Sequence, residues 1–374
     1  MKYLFTVITV LPLLAACNGN PENSFKHIAA ETSITAEATY IPLNNIAKNI
    51  TCIPLETTSE SLIKNVTDFT LDKNIIYINN AEAACMTFTL DGKFTGNIGT
   101  KGRGPNEYLN VANIFVQNGN IFIYDANATA ILIYDLSGTF ISKTKLDGYL
   151  AGHTSAELLP NGEVVTFTPD KGPSPRTAML SFAALNAEPA GTFGVTDSIP
   201  HPNPLQEEGY VNWYFKEGQF VRKGKNVLFK STFNDTIYRL EQQEGKYTLQ
   251  PQYILQLGQY AAIQDARVKT FKSFYQPKLF KPFEIMQKIE LLGESGKYVF
   301  YSATDRNEPC YFYDKKSNTV SKWRLMPDGK EAECKENVNF YTPLRIDANG
   351  NLLGFMQPEN ENDNPVLVIA QLKN

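Results

Sequence analysis

The sequence predicts an all-β fold, a six-bladed β-propeller with short helical and loop insertions. Three observations carry that prediction. A unit of strand, turn, strand, glycine turn and strand recurs at a fixed offset. Six such strand-rich units of roughly 40–50 residues fill the chain, the number and size of propeller blades. Tyr and Phe are abundant, 19 and 23 among 374 residues, and aromatic residues favour strands. Two packed sheets, the competing all-β arrangement, give no reason for a fixed offset.

The first element is an export signal. Lys2 supplies a short positive region, and Leu4 to Leu14 is an apolar run too short to span a bilayer as a helix. Leu14-Ala15-Ala16-Cys17 then resembles a bacterial lipobox. Cleavage before Cys17 leaves a cysteine that is acylated by fatty acids such as palmitate, and several acyl chains make a stable anchor where one does not. Residues 1–16 therefore read as a lipoprotein signal peptide, residues 17–37 as a flexible polar tether, and residues 38–374 as the propeller. No other stretch is long and apolar enough to span a membrane. The expected location is the bacterial cell envelope, lipid-anchored, at the outer membrane, with the periplasmic or surface side left open.

Charge excludes one class of partner. Removing residues 1–16 takes away Lys2 alone, which leaves 34 of the 35 basic residues against 39 acidic ones. A nucleic-acid binder shows a basic surplus instead.

The repeat is clearest in its first two copies. Residues 74–94 and residues 120–140 align at an offset of 46 without a gap, placing Phe88 on Tyr134, Leu90 on Leu136, Gly92 on Gly138 and Phe94 on Phe140. Asp91-Gly92 and Ser137-Gly138 are hairpin turns that need positive φ. Further copies open at Asn161, Lys225, Gly296 and Asn349. The last copy ends soon after its third strand. A propeller must close to hide its edge, so an early strand, Thr39 to Leu43 or Thr51 to Leu55, is expected to complete the last blade.

Between the first two copies lies G-T-K-G-R-G-P-N-E-Y, residues 99–108. A phosphate-binding P-loop needs Gly-Lys-Ser/Thr at its end and a helix after it, and here Pro105 and Asn106 follow Gly104. The stretch is similar to the inter-blade segment of NHL-type propellers. More closely it resembles the K-G-R-G-P-G-E-Y run of the bacterial 6-bladed β-propeller lipoprotein family (NHL/TolB-like). I-P-L-E-T-T at 53–58 and Asn234-Asp235-Thr236-Ile237-Tyr238 resemble two further elements of that family, and the resemblance covers most of residues 50–370. Asn106 departs from the family's usual Gly. Asn tolerates positive φ next best, so the turn is expected to survive. In this joint, Tyr108 is expected between blades and Glu107 on a nearby backbone group. Arg103, with its planar fork for carboxylates and phosphates, is the residue to suspect of ligand contact.

Few residues offer covalent chemistry. The three histidines, His27, His153 and His201, form no zinc-ligand spacing, and no G-x-S-x-G elbow occurs. No catalytic residue, metal ligand or cofactor is assigned. Asp125, Asp305 and Glu308 are the candidates if the axial channel holds Ca²⁺. The four cysteines beyond Cys17 leave two readings: a Cys310–Cys334 disulfide within one repeat, or four buried free thiols. Two inserted regions, 169–213 and 258–293, interrupt the repeat; 266–275 and 283–292 read as short helices. Insertions on a propeller commonly shape its binding surface. The candidate ligand-binding residues are therefore Arg103, Tyr108, His153, Trp213, Tyr275 and Arg306.

The expected function is recognition by an envelope-anchored lipoprotein, of a glycan, a peptide or an envelope protein, without covalent catalysis. The alternative is a metal-dependent hydrolase or lyase acting on a glycan or lactone at the axial channel. Carboxylates converging in the channel would favour that enzyme.

Overall fold

A computed structural model describes residues 25–145, 155–168, 179–184, 197–200, 218–261, 288–303, 310–326 and 342–373, except positions 82, 129, 357, 359 and 361. They form six small antiparallel sheets, the blades of a six-bladed propeller. Blade 1 runs through Val66–Asp72, Ile75–Asn80, Cys85–Thr89 and Phe94–Ile98; blade 2 through Val111–Gln117, Asn120–Asp125, Ala130–Asp135 and Phe140–Lys145. Blade 3 holds Ser155–Leu158, Glu163–Thr168, Met179–Ala184 and Asp197–Pro200. Blade 4 holds Gly218–Lys223, Asn226–Ser231, Thr236–Gln243 and Lys246–Gln256; blade 5 holds Ile289–Glu294, Tyr298–Ala303, Cys310–Asp314 and Thr319–Met326. The first strands of successive blades pack on one another, so they are the inner wall around the axis.

Blade 6 takes Thr342–Ile346, Asn351–Met356 and Val366–Leu372 from the end of the chain, and Ala47–Pro54 from its beginning. Ala47–Pro54 pairs antiparallel with Val366–Leu372, setting Cys52 opposite Val368. Of the two closing strands expected, the structure uses the later one, and the ring has no open seam there.

The core is annular. Each of six clusters of buried apolar side chains lies between two successive blades. Between blades 1 and 2, for instance, Tyr77, Cys85 and Ile98 meet Ile114, Ile123, Leu132 and Tyr134. Both faces of a blade are covered, which explains why a middle strand such as Cys310–Asp314 is apolar without alternation.

Four expectations need correction. The repeat does not hold a single offset. Asp68 pairs with Asn79 and Asn113 with Tyr124, an offset of 45, whereas Phe88–Phe94 and Tyr134–Phe140 keep 46. The extra residue of blade 2 falls in the turn between its second and third strands. The tether ends earlier than residue 37. Lys26–Ala29 adds a fifth, parallel strand to the outer edge of blade 4, the helix Glu31–Thr35 follows, and Thr39–Pro42 does the same for blade 5. Ile28 and Ala30 are fully buried there, and the two added strands cover edges that would otherwise be unpaired. The helix expected over 283–292 gives way at its end to the inner strand of blade 5, Ile289–Glu294. A short apolar run such as I-E-L-L fits either period. Finally, Cys310 is a free buried thiol, as is Cys85, and Cys52 is the disulfide-bonded cysteine.

Candidate functional site

The joint at 99–110 is a structural device. Gly99 has φ +60°, and a Cβ there would lie 2.5 Å from the Tyr134 hydroxyl. Gly102 and Gly104 do not have positive φ. They are needed for room, because a Cβ on Gly102 would fall 2.0 Å from Glu107 Oε2. That same oxygen accepts the Gly104 N–H at 2.7 Å. Asn106 is not at positive φ either, so it fits without special tolerance.

Tyr108 is 1% exposed. Its hydroxyl donates to Ile98 O at 2.5 Å and accepts the Cys85 N–H at 2.8 Å, riveting the joint to blade 1. Burial pushes its phenol well above the usual range. Lys101 donates to Ala81 O. Arg103 is exposed and makes no hydrogen bond or ion pair among the described residues. Cys17, His153, Trp213, Tyr275 and Arg306 lie outside the described residues, as do Asp305 and Glu308. Asp125 is fully buried and its carboxylate accepts four backbone N–H groups, from Leu109, Asn110, Asn127 and Ala128. Among the described residues no group of three or more His, Cys, Asp or Glu is placed to hold a metal ion.

A polar ring lines the inner wall, and sequence reasoning did not find it. Asp68 Oδ2 accepts the Ile114 N–H of blade 2 at 2.9 Å, Asn113 accepts the Ala156 N–H of blade 3 at 3.3 Å, and Gln219 accepts the Leu291 N–H of blade 5 at 2.9 Å. The inner strands of blades 1, 2 and 4 thus each lend a polar side chain to the backbone of the next. Arg345 of blade 6 pairs with Asp68 Oδ1 and lies 4.9 Å over the Phe69 ring.

Within the ring sits Glu157, on the inner strand of blade 3. Its carboxylate accepts one hydrogen bond among the described residues, from the Leu158 N–H at 3.2 Å. Burial is the largest influence on it and raises its pKa to about 7. The guanidiniums of Arg222 and Arg345 pull the other way, and the Asp68 carboxylate adds to the rise. Groups from blades 1, 3, 4 and 6 therefore act on one another across the axis.

Arg222 is held from several sides. Nη1 donates to Leu158 O at 3.3 Å and to Gln117 Oε1 at 3.5 Å, and Nε to Gly224 O at 3.2 Å. One end of the axis is narrowed there: the Gly224 N–H of blade 4 reaches Ala348 O of blade 6 at 3.2 Å, although these blades are not neighbours. The opposite end of each inner strand faces the connections between blades, where the 99–110 joint lies.

The chain belongs to the family described as "Domain of unknown function (DUF4934)", whose model matches residues 26–371. No curated protein matches it. Among solved structures, a "Putative exported protein" from Bacteroides fragilis is 17% identical, with a TM-score of 0.65, covering 90% of this chain and 98% of that one. A member of the duf4221 family from Bacteroides vulgatus is 10% identical, with a TM-score of 0.46, covering 88% and 98%. The first likeness supports the fold. No helix among the described residues is long and apolar enough to cross a membrane.

Proposed function

We propose that this chain is an envelope lipoprotein, anchored through Cys17, that binds a polar ligand at the axial mouth of its propeller. The observation that carries the reading is the convergence of Glu157, Asp68, Arg222 and Arg345 at the axis, with Glu157 left nearly without partners among the described residues. A rigid ring that fixes its own guanidiniums is preorganised for binding. Export is supported by the signal at residues 1–16 and by the exported fold relative from Bacteroides fragilis. Glycans, peptides and envelope proteins are the partner classes, and the exposed Arg103 is the contact proposed for the rim.

Two measurements test this. Fractionation of cells carrying the chain and its Cys17→Ser form is expected to move the protein from membrane to soluble fraction. A thermal-shift screen of the mature chain against oligosaccharides, peptides and Ca²⁺ with EDTA controls is expected to give a saturable, metal-independent shift. A Ca²⁺ requirement or silence across the whole screen would sink the binding reading.

One observation favours the second reading, a hydrolase or lyase on a glycan or lactone. Glu157 titrates in the range that general acid–base catalysis uses. Turnover abolished by Glu157→Gln would establish it.

A further inference from the structure

Every other polar member of the ring is engaged by its neighbours, which makes the unengaged groups informative. Asp68 holds Ile114 N–H and Arg345, while Asn113 and Gln219 hold backbone N–H groups. Among the described residues Glu157 holds only the N–H of its own neighbour. Arg345 gives one nitrogen, Nη2, to Asp68, and its plane is fixed over Phe69. Arg222 uses Nε and Nη1, and among the described residues Nη2 makes no hydrogen bond, which leaves it to a ligand. Two oriented guanidiniums thus keep donors to offer beside one carboxyl group. A guanidinium fork suits an oxyanion.

Charge narrows the ligand further. Asp68 balances Arg345. Among the described residues Arg222 contacts only carbonyl and amide oxygens, so Glu157 is the one carboxylate that opposes it. With Glu157 protonated, the site carries a single uncompensated positive charge. A monoanion matches that charge, whereas a phosphate dianion overfills it beside two carboxyl groups. A protonated Glu157 also presents an O–H donor and a carbonyl acceptor, the complement of a hydroxyl.

We infer that this axial site takes a monoanionic hydroxy-carboxylate of the uronate-sugar class, with Arg222 and Arg345 on its carboxylate and Glu157 on a hydroxyl. The inference rests on the binding reading above and names its ligand class. It has a pH signature. The groups facing Glu157 are Arg222, Arg345 and Asp68, and Glu157 is the member whose charge changes between pH 5.5 and pH 8. Deprotonation restores the opposing negative charge, so affinity falls as pH rises.

The test is calorimetric titration of the mature chain with galacturonate, galactose and inorganic phosphate at pH 5.5 and 8.0. Galacturonate is expected to bind, galactose at least tenfold more weakly at both pH values, and phosphate at least tenfold more weakly at pH 8.0, where it is a dianion. Galacturonate affinity is expected to drop about tenfold at the higher pH, following the loss of the protonated carboxyl. Glu157→Gln, which keeps size and hydrogen bonding, is expected to flatten that pH dependence; circular dichroism confirms its fold. Galactose binding as well as galacturonate, or phosphate doing so as the dianion at pH 8.0, would overturn the inference, and so would an affinity indifferent to pH or to Glu157→Gln. If peptides or neutral glycans bind while galacturonate does not, the binding reading stands and only the ligand class falls. If nothing binds, both fall.

Discussion

Asp68 of blade 1 and Arg345 of blade 6, 277 residues apart in the chain, form an ion pair at the inner wall. The propeller is therefore closed twice: at the rim by the Ala47–Pro54 strand, and at the axis by this pair. The Asp68 side chain is 6% exposed and that of Arg345 36%. Breaking a fully buried pair costs about 3–5 kcal/mol. Solvent around Arg345 brings the expectation for Asp68→Asn to about 2 kcal/mol, within the range for surface-screened and buried pairs. A urea double-mutant cycle with Arg345→Met measures it. A coupling energy near zero would show that the rim strand alone closes the ring.

Glu157 makes stability depend on pH with a definite sign. Its folded pKa is raised by burial to about 7, above the ordinary 4.5. The folded chain holds that proton longer than the unfolded chain. The associated stability is fully present below the ordinary range and is lost as pH climbs through about 7. Glu157→Gln removes the loss. Relative to the parent, the variant is expected to gain on the order of 2 kcal/mol between pH 4.5 and pH 8. Urea melts of both chains across that range check it; a constant difference would place the carboxyl in water.

How much was legible depends on what each residue had to do. The blades could be read because hairpin glycines and buried strands repeat: Gly92 and Gly138 both have φ +83°. Closure could be read because the last copy lacks a strand. The joint could be read as a joint, but not that Gly102 and Gly104 make room for Glu107. The first strap, Lys26–Ala29, reads as tether because it is short and mostly exposed, and Thr39–Pro42 reads as a strand whose place, on blade 5 and not blade 6, its short sequence does not specify. The axial cluster was missed for a different reason. Glu157 and Arg345 each stand as one charge in an otherwise ordinary strand, Arg222 stands beside Lys223 at the end of its own, and only ring closure brings the three together. A charge in the middle of a predicted inner strand, as in S-A-E-L, was the available signal.

Lys230 carries the opposite sign. It is 1% exposed and its ammonium donates to Ser231 O at 3.0 Å and Asn234 O at 3.1 Å. Burial lowers its pKa to about 8, against the pull of Asp235 and Glu290. The charged form is the penalised one in the fold, so the penalty is present below about 8 and lifts as pH rises towards 10.5. Stability from this site is expected to increase between pH 7.5 and 10. Lys230→Met is expected to abolish that increase while costing about 1–3 kcal/mol for Asn234 O losing the ammonium; Ser231 O keeps the Asn234 N–H at 3.3 Å. Identical slopes in the two chains would show that another group supplies the dependence.

Asn364 is the small residue on which the sixth-to-first joint depends. Its Oδ1 accepts Ile63 N–H at 2.7 Å, and Nδ2 donates to Glu56 O at 2.8 Å and Ser61 O at 2.7 Å. It is 2% exposed. Alanine there leaves the Ile63 N–H and Ser61 O without these partners, each worth about 1 kcal/mol or more, while Glu56 O keeps the Ser61 hydroxyl at 2.7 Å. Asn364→Ala is expected to destabilise by about 3 kcal/mol in urea, and Asn364→Asp by a similar amount because it removes the two donors. A loss below 1 kcal/mol would mean that water replaces the side chain.

The cysteines connect the anchor to the fold. The chain has five; Cys85 and Cys310 are free, and Cys52, on the closing strand, is disulfide-bonded. Subtraction leaves Cys17 and Cys334 to bond it. A lipid on Cys17 occupies that thiol, so the proposed anchor requires the bond to run from Cys52 to Cys334. Non-reducing peptide mapping of the membrane-derived protein is expected to give a Cys52–Cys334 cross-link and an acylated Cys17 peptide. Cys85 and Cys310, with thiols pushed by burial to about 12, are expected to alkylate only after unfolding, since the thiolate is the reactive form. Such a bond would tie the closing strand to the far end of the chain, and reducing it is expected to cost about 2–4 kcal/mol. A Cys17–Cys52 cross-link in the mature protein would refute the lipid anchor, because one sulfur cannot serve both.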